Sequence, residues 1–333
     1  MRGALSRRNF LSLDFGRRLP AGGHWIRVHR TVMACRFEVA LSGEDAGAIA
    51  AARDALDEAA RVEQVLTVFR DDSDVADLNH RASTEAVAVS DELFTLLARC
   101  RDLHERTGGA FDVTSTPLSR SWGFLRREGH VPDADDLEDA RECCGMEHVL
   151  LDPLSRTVRF DRPGVEVNFG AIGKGYALDR MADLLRDAGV PNALLSAGHS
   201  SVVAVGRDDD GWPVDLRPSL ARRRVGRVWL SDAALGVSGA GEQYFEIDGI
   251  RYGHVIDPRT GRPAFGVLGA SVLARSGEDT DALSTAFLIG GPELAQAYCD
   301  AHPDTQAVLV LDGPQERIVV FGRCSGVTLE LLP

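Results

Sequence analysis

The chain has 333 residues, 44% hydrophobic and 26% charged, with a formal net charge of −13. That balance can bury a sizeable core and excludes a disordered or fibrous chain. The acidic excess excludes a surface built to grip nucleic acid, although a phosphorylated small molecule stays admissible where a metal ion or a helix N-terminus offsets the repulsion.

In chain order, residues 1–25 read as a leader. Ser6-Arg7-Arg8-Asn9-Phe10-Leu11 is like a twin-arginine export signal, but the stretch behind it, Leu13 to Pro20, is too short and too charged for an apolar h-region, so a cytoplasmic protein is expected. The pattern turns globular at Ile26. Val32 to Leu41 alternates as a strand, and Ala46 to Val65 carries apolar residues at helical spacing. Leu93 to Thr107 predicts a helix closed by Gly108-Gly109, and Pro132 to Cys144 a short acidic surface helix. Short strands follow at Val149 to Leu151 and Thr157 to Phe160.

Val165 to Phe169 predicts a further strand, Gly170 to Gly175 a glycine-rich turn, and Tyr176 to Ala188 a helix ended by Gly189. A strand begins at Ala193. Helices are expected from Thr280 to Ile289 and from Pro292 to Ala301, and strands at Ala307 to Leu311 and Arg317 to Phe321. No stretch nears the roughly 18 apolar residues of a membrane span. The six cysteines show neither C-x-x-C pairing nor metal-ligand spacing, and the adjacent Cys143-Cys144 reads as packing. Without repeats or a linker after residue 30, the expectation is one α+β domain over 26–333.

Four segments carry candidate chemistry. Gly170-Ala171-Ile172-Gly173-Lys174-Gly175 joins three glycines, a lysine and a helix N-terminus, which suits an anion such as a pyrophosphate; the same glycines also suit plain helix–strand packing. It lacks the Ser or Thr of a P-loop. In Glu278 to Thr285, Asp281 and Thr285 lie four apart, on one face of a helix, where a carboxylate and a hydroxyl can hold a hard cation such as magnesium; an acidic first turn with Thr285 simply buried is the alternative. In Tyr252 to Pro263, His254 precedes an Asp-Pro-Arg-Thr-Gly turn and is either a proton-transfer group or a structural histidine. Gly108 to Thr114, ahead of Trp122-Gly123-Phe124, supplies aromatic residues for a core or for the apolar walls of a ligand pocket.

Taken in order, these segments resemble the ApbE family of FAD:protein FMN transferases, over about Val32 to Val310. Met33-Ala34-Cys35-Arg36-Phe37 is similar to its opening Met-Gly-Thr-x-Tyr. Leu66 to Phe69 with Asp72-Ser73 and Leu78-Asn79 resembles its "STY…DS…LN". Gly109-Ala110-Phe111-Asp112 with Pro117-Leu118 and Trp122-Gly123-Phe124 resembles "GAFD-x-T-x-x-PL…WGF". Asn168 to Ala177 resembles "D-L-G-[AG]-I-A-K-G-Y-A". Ser238-Gly239, Phe245, His254 to Pro263 and Asp281 to Ala286 follow "SG…FF…SHIIDPRTGRP…DALATA".

The resemblance implies a T-fold-like α+β domain with mixed or antiparallel sheets packed by helices. It implies that Met33, Phe69, Ala110, Phe111, Asp112, Asn168, Lys174 and Ile256 line an FAD pocket. It further implies that the Ala171 carbonyl, the Asp281 carboxylate and the Thr285 hydroxyl hold Mg2+, and that His254 is catalytic or orients a phosphate. FAD is then the substrate, and the partner is a flavoprotein subunit whose Ser or Thr receives FMN as AMP leaves. That partner supplies the nucleophile, in keeping with the lack of a nucleophile–base pair in this chain. Three departures stand out: Asn168 replaces the usual Asp, Ala197-Gly198-His199-Ser200 replaces Ala-Gly-Gly-Asp, and Met33-Ala34-Cys35 replaces Met-Gly-Thr. The alternatives are an FAD pyrophosphatase that uses water, and a non-catalytic flavin-binding or assembly protein.

Overall fold

The structure, a computed structural model, describes residues 11–12, 25–42, 47–206, 211–217, 224–241, 243–313 and 316–332. Residues 6–10 of the twin-arginine-like stretch, and most of the leader, lie outside them. Among the described residues no helix is long and apolar enough to cross a membrane. Among the described residues, the contacts gather into two compact units, one made of Gln64–Ala171 with Ala240–Phe265 and the other within Arg8–Glu63, Ile172–Gly239 and Gly266–Pro333.

The second unit is built on an eight-stranded sheet. Its strands run in the order Arg317–Gly322, Gln306–Leu311, Val267–Ala274, Ala234–Gly239, Ser201–Val205, Ala193–Ala197, Cys35–Ser42 and Trp25–Val32. Every neighbouring pair is antiparallel. The central strands are buried along all or nearly all of their length, so they read as largely apolar runs without alternation. One face, with Leu194, Val202, Leu235, Val237 and Leu273, packs on a smaller sheet through Trp212, Val214 and Val228. That sheet joins Leu11–Ser12, Trp212–Leu216, Gly226–Leu230 and Val327–Leu331. The other face is covered by helices Gly173–Asp187 and Gly277–Ala301, which also pack on each other. Three layers therefore enclose two apolar interfaces.

One expectation is corrected here. Val32 to Leu41 is not one strand, because Met33 and Ala34 take left-handed φ values of 49° and 55° and turn the chain into a hairpin. Neither residue advertises such a turn, which ordinarily calls for Gly or Asn. The run Gly277–Ala301 comprises the two expected helices, separated where Gly291 leaves helical geometry at φ 69° ahead of Pro292.

The first unit holds helices Asp74–Arg81, Asp91–Arg106, Thr116–Ser121 and Ala134–Glu142, a three-stranded sheet, and the hairpins Tyr244–Ile247/Ile250–Gly253 and Ile256–Asp257/Arg262–Pro263. Trp122 anchors a cluster with Leu118, Phe124 and Ile256, and its indole N–H donates to the Gly261 carbonyl at 2.8 Å. The expected strand at Val165 to Phe169 is absent. Its backbone is satisfied locally instead. Val167 N–H donates to Asn79 Oδ1 at 2.8 Å, the Val167 carbonyl accepts from Asn79 Nδ2 at 2.9 Å, and Asn168 N–H donates to the Val113 carbonyl at 2.8 Å. A side-chain amide thus does the pairing that a neighbouring strand would do.

Candidate active site

The glycine-rich turn is shorter than its sequence suggests, because helix Gly173–Asp187 begins inside it and takes in Lys174 and Gly175. Ala171 sits in the turn directly before that helix. The helix lies against the first turns of Gly277–Ala301, backbone to backbone at Gly175 and Gly277. A Cβ on Gly175 would overlap the Gly277 carbonyl, and one on Gly236 would overlap that of Thr280. Glycine is required at both positions by close approach of backbones.

This seam sets Asp281 among fixed donors. The residue is 3% exposed. Its Oδ2 accepts from Gly175 N–H at 3.0 Å, its Oδ1 accepts from Ser201 Oγ at 3.1 Å, and Lys174 Nζ stands 3.3 Å from Oδ1. A carboxylate this deep is tolerable because it is both paired and hydrogen-bonded. One turn along the same helix, Thr285 Oγ1 lies 3.1 Å from Ser238 Oγ, which in turn lies 2.9 Å from Ser284 Oγ. Lys174, Asp281 and Thr285, expected to act together, therefore belong to one packed seam. Ser201 and Ser238 complete it and were not anticipated. The Ser238-Gly239 match was noted, yet only the packing of strands Ser201–Val205 and Ala234–Gly239 against this helix shows which hydroxyls point inward.

The donors at the seam are hard oxygens: one buried carboxylate and the hydroxyls of Ser201, Ser238, Ser284 and Thr285. Among the described residues, no group of three or more His, Cys, Asp or Glu gathers anywhere. A lone carboxylate with hydroxyls suits a magnesium ion that completes its octahedron with substrate phosphates and water, and suits poorly a metal that prefers nitrogen or sulfur.

In the first unit, Phe69 and Asn168 both line a cavity of about 670 Å³, together with Asn79, Thr116, Arg120 and Glu166. Phe69 is 84% exposed, whereas Ala110 and Phe111 are 1% exposed. Asn168 Oδ1 accepts from Gly170 N–H at 2.9 Å, so the amide makes the turn contact that an Asp would make, without its charge. Asp112 is buried and its carboxylate is committed inside the fold. Oδ1 accepts from Thr114 N–H at 2.7 Å and Thr114 Oγ at 2.6 Å, and Oδ2 lies 3.3 Å from His104 Nδ1. Met33, in the second unit, donates its N–H to Glu63 Oε1 at 2.8 Å.

His254 follows the hairpin Tyr244–Gly253. Its Nδ1 lies 3.1 Å from the Gln243 carbonyl, which fixes Nδ1 as the protonated nitrogen and leaves the lone pair on Nε2. Burial pushes its pKa below the usual histidine value, and the Gln243 carbonyl only partly opposes this. The ring is neutral at pH 7, as a proton acceptor must be. Ile256, two residues on, is buried in the Trp122 cluster.

The ApbE family model matches residues 33–309. The FAD:protein FMN transferase of Vibrio cholerae is 33% identical over 263 residues, covering 77% of this chain and 78% of that protein. The Treponema pallidum protein of the same name is 32% identical over 273 residues, covering 77% and 75%. The crystal structure of the ApbE protein from Thermotoga maritima superposes with a TM-score of 0.81 at 26% identity, covering 91% of this chain and 97% of that one. The apo form of the Pseudomonas stutzeri flavinyl transferase ApbE gives 0.78 at 26% identity, covering 90% and 95%. Fold and relatives together define a transferase. Within that class, the chain belongs to the ApbE family.

Proposed function

We propose that this chain transfers the FMN half of FAD to a Ser or Thr hydroxyl of a flavoprotein subunit, forming a phosphoester and releasing AMP. Beyond the family membership, the observation that carries this reading is Asp281, buried yet held between Lys174 and the first-turn amide of Gly175. Asp281 and Thr285, with the Ala171 carbonyl, are the residues that would hold Mg2+. When bound, that ion withdraws charge from the pyrophosphate and eases departure of AMP.

The remaining roles fall to the chain itself. Lys174 is the counter-ion of Asp281, and an incoming pyrophosphate competes for the same ammonium. The N-terminus of helix Gly173–Asp187 adds its positive dipole end to that attraction. The neutral His254 is the base for the attacking hydroxyl, taking its proton at Nε2. Phe69 offers an apolar ring to the flavin, and Asn168 holds the chain ahead of the glycine turn. The chemistry is chiefly positioning and charge stabilisation.

The test is incubation of a candidate flavoprotein subunit with FAD, Mg2+ and this protein, followed by mass spectrometry of the intact subunit. A mass increase of one FMN is expected. Free FMN and AMP without a modified subunit would show hydrolysis by water in place of transfer, and intact FAD would overturn the enzymatic reading. Replacing Mg2+ with a chelator should abolish the added mass.

A further inference from the structure

The helix that carries Asp281 and Thr285 is not capped by its own strand of chain alone. Ser276 accepts from Asp279 N–H at 3.3 Å, which leaves the first two amides of the helix without a local acceptor. Asp179 of the neighbouring helix meets both. Its Oδ1 accepts from Gly277 N–H at 2.7 Å, and its Oδ2 accepts from Glu278 N–H at 2.9 Å and from Ser276 Oγ at 2.9 Å.

Set beside the seam already described, this contact has a mirror image. Gly175 and Asp179 are four apart on helix Gly173–Asp187, and Gly277 and Asp281 are four apart on helix Gly277–Ala301. Residues at that spacing share a face. Gly175 N–H donates to Asp281, and Gly277 N–H donates to Asp179. Each helix thus offers a first-turn glycine amide to the aspartate of the other. The two helices are locked in axial register by a reciprocal clasp, and the absence of Cβ atoms at its two glycines lets it close.

We propose that Asp179 is a positioning residue for the cation site: it fixes the first turns of helix Gly277–Ala301 so that the Asp281 carboxylate stays aimed when a cation draws on it. This rests on the reading of Asp281 as a metal ligand. Of the two aspartates, Asp281 also meets Lys174 and Ser201, whereas Asp179 meets only the helix start. A half-buried carboxylate used in this way stands behind the ligand much as a hydrogen-bond partner stands behind a metal-bound histidine, and removing such a partner costs about 10–100-fold in metal affinity. Burial also pushes the pKa of Asp179 above the usual carboxylate range, against the pull of the Glu278 and Gly277 amides and the Ser276 hydroxyl.

The experiment is titration calorimetry of the full chain with Mg2+ in the absence of FAD, with a urea unfolding curve for each protein. Asp179→Asn keeps the shape but leaves part of the helix start without an acceptor; it should unfold at a somewhat lower urea midpoint and, while folded, bind Mg2+ about 10–100-fold more weakly. Asp179→Glu keeps the charge but displaces it, and should also bind several-fold more weakly; it carries the same test if the Asn protein does not fold. Unchanged Mg2+ affinity in the folded Asn variant would overturn the inference. So would full affinity in the Glu variant beside a loss in the Asn variant, because charge and not position would then be responsible. Asp281→Asn separates the two layers: if it binds Mg2+ as tightly as the unaltered protein, the metal reading itself fails and this inference falls with it.

Discussion

At the scale of single residues, the hairpin at Met33-Ala34 offers the clearest test of backbone strain. Ala34 holds a φ of 55°, where an L side chain costs roughly 1–2 kcal/mol. Glycine relieves that strain but adds freedom to the unfolded chain. Ala34→Gly should therefore stabilise the protein by about 0.5–1 kcal/mol, read as a higher urea midpoint at constant slope. His104 gives a pH signature. Burial, the largest single effect, lowers its pKa, but the hydrogen bond and charge of Asp112, with help from Glu147 and the Phe111 carbonyl, outweigh it and raise the net value above 6.5. A base whose pKa is raised by folding contributes stability that is complete below its unfolded value and lost as pH rises through its folded value. Denaturant midpoints measured from pH 6 to 9 should fall across that window in the native protein and lose this component in His104→Gln. A difference between the two proteins that is independent of pH would refute the coupling.

At the scale of elements, the helix seam makes a steric prediction. Gly175→Ala places a methyl group on the Gly277 carbonyl, a backbone atom that cannot rotate away. Overpacking commonly costs 1–3 kcal/mol, so a loss of about 3 kcal/mol is expected, with binding of Mg2+ weakened in parallel. Thermal unfolding of Gly175→Ala and Gly175→Ser would both show it, and a native midpoint in either would show that the helices have room to part. The helices and most of the strands were legible in the sequence, because a stripe of apolar residues at period 3.6 or a wholly apolar run is a local signal. The Val165 to Phe169 segment was misread for the same reason. Its pattern is that of a strand, but its hydrogen-bond partner is the side chain of Asn79, remote in sequence. The Met33-Ala34 turn was missed because neither residue favours it. At the seam, Lys174, Asp281 and Thr285 were marked as candidates by local spacing and assigned together by resemblance, whereas Ser201 and Asp179 emerge only from packing between segments about 80 to 100 residues apart.

At the scale of the whole molecule, the chain passes from one compact unit to the other, among the described residues, at four places, near residues 63, 171, 239 and 265. Neither unit can unfold without turning connections of the other into long loops, which costs closure entropy. Unfolding is therefore expected to be one cooperative event. Trp122 lies in the first unit, and Trp25, Trp212 and Trp229 lie in the second. Fluorescence of the native protein and of Trp122→Phe, compared with far-UV circular dichroism, should trace coincident urea curves, and separate midpoints would reveal two independent folding units. The meeting of helix backbones at Gly175 and Gly277 has a last consequence, for redesign. Where two main chains touch without a side chain between them, there is no dial to turn, and every substitution there acts as a wedge. An engineer wishing to change which ion the proposed site prefers would leave the glycines alone and work on the hydroxyls at 201, 238 and 284.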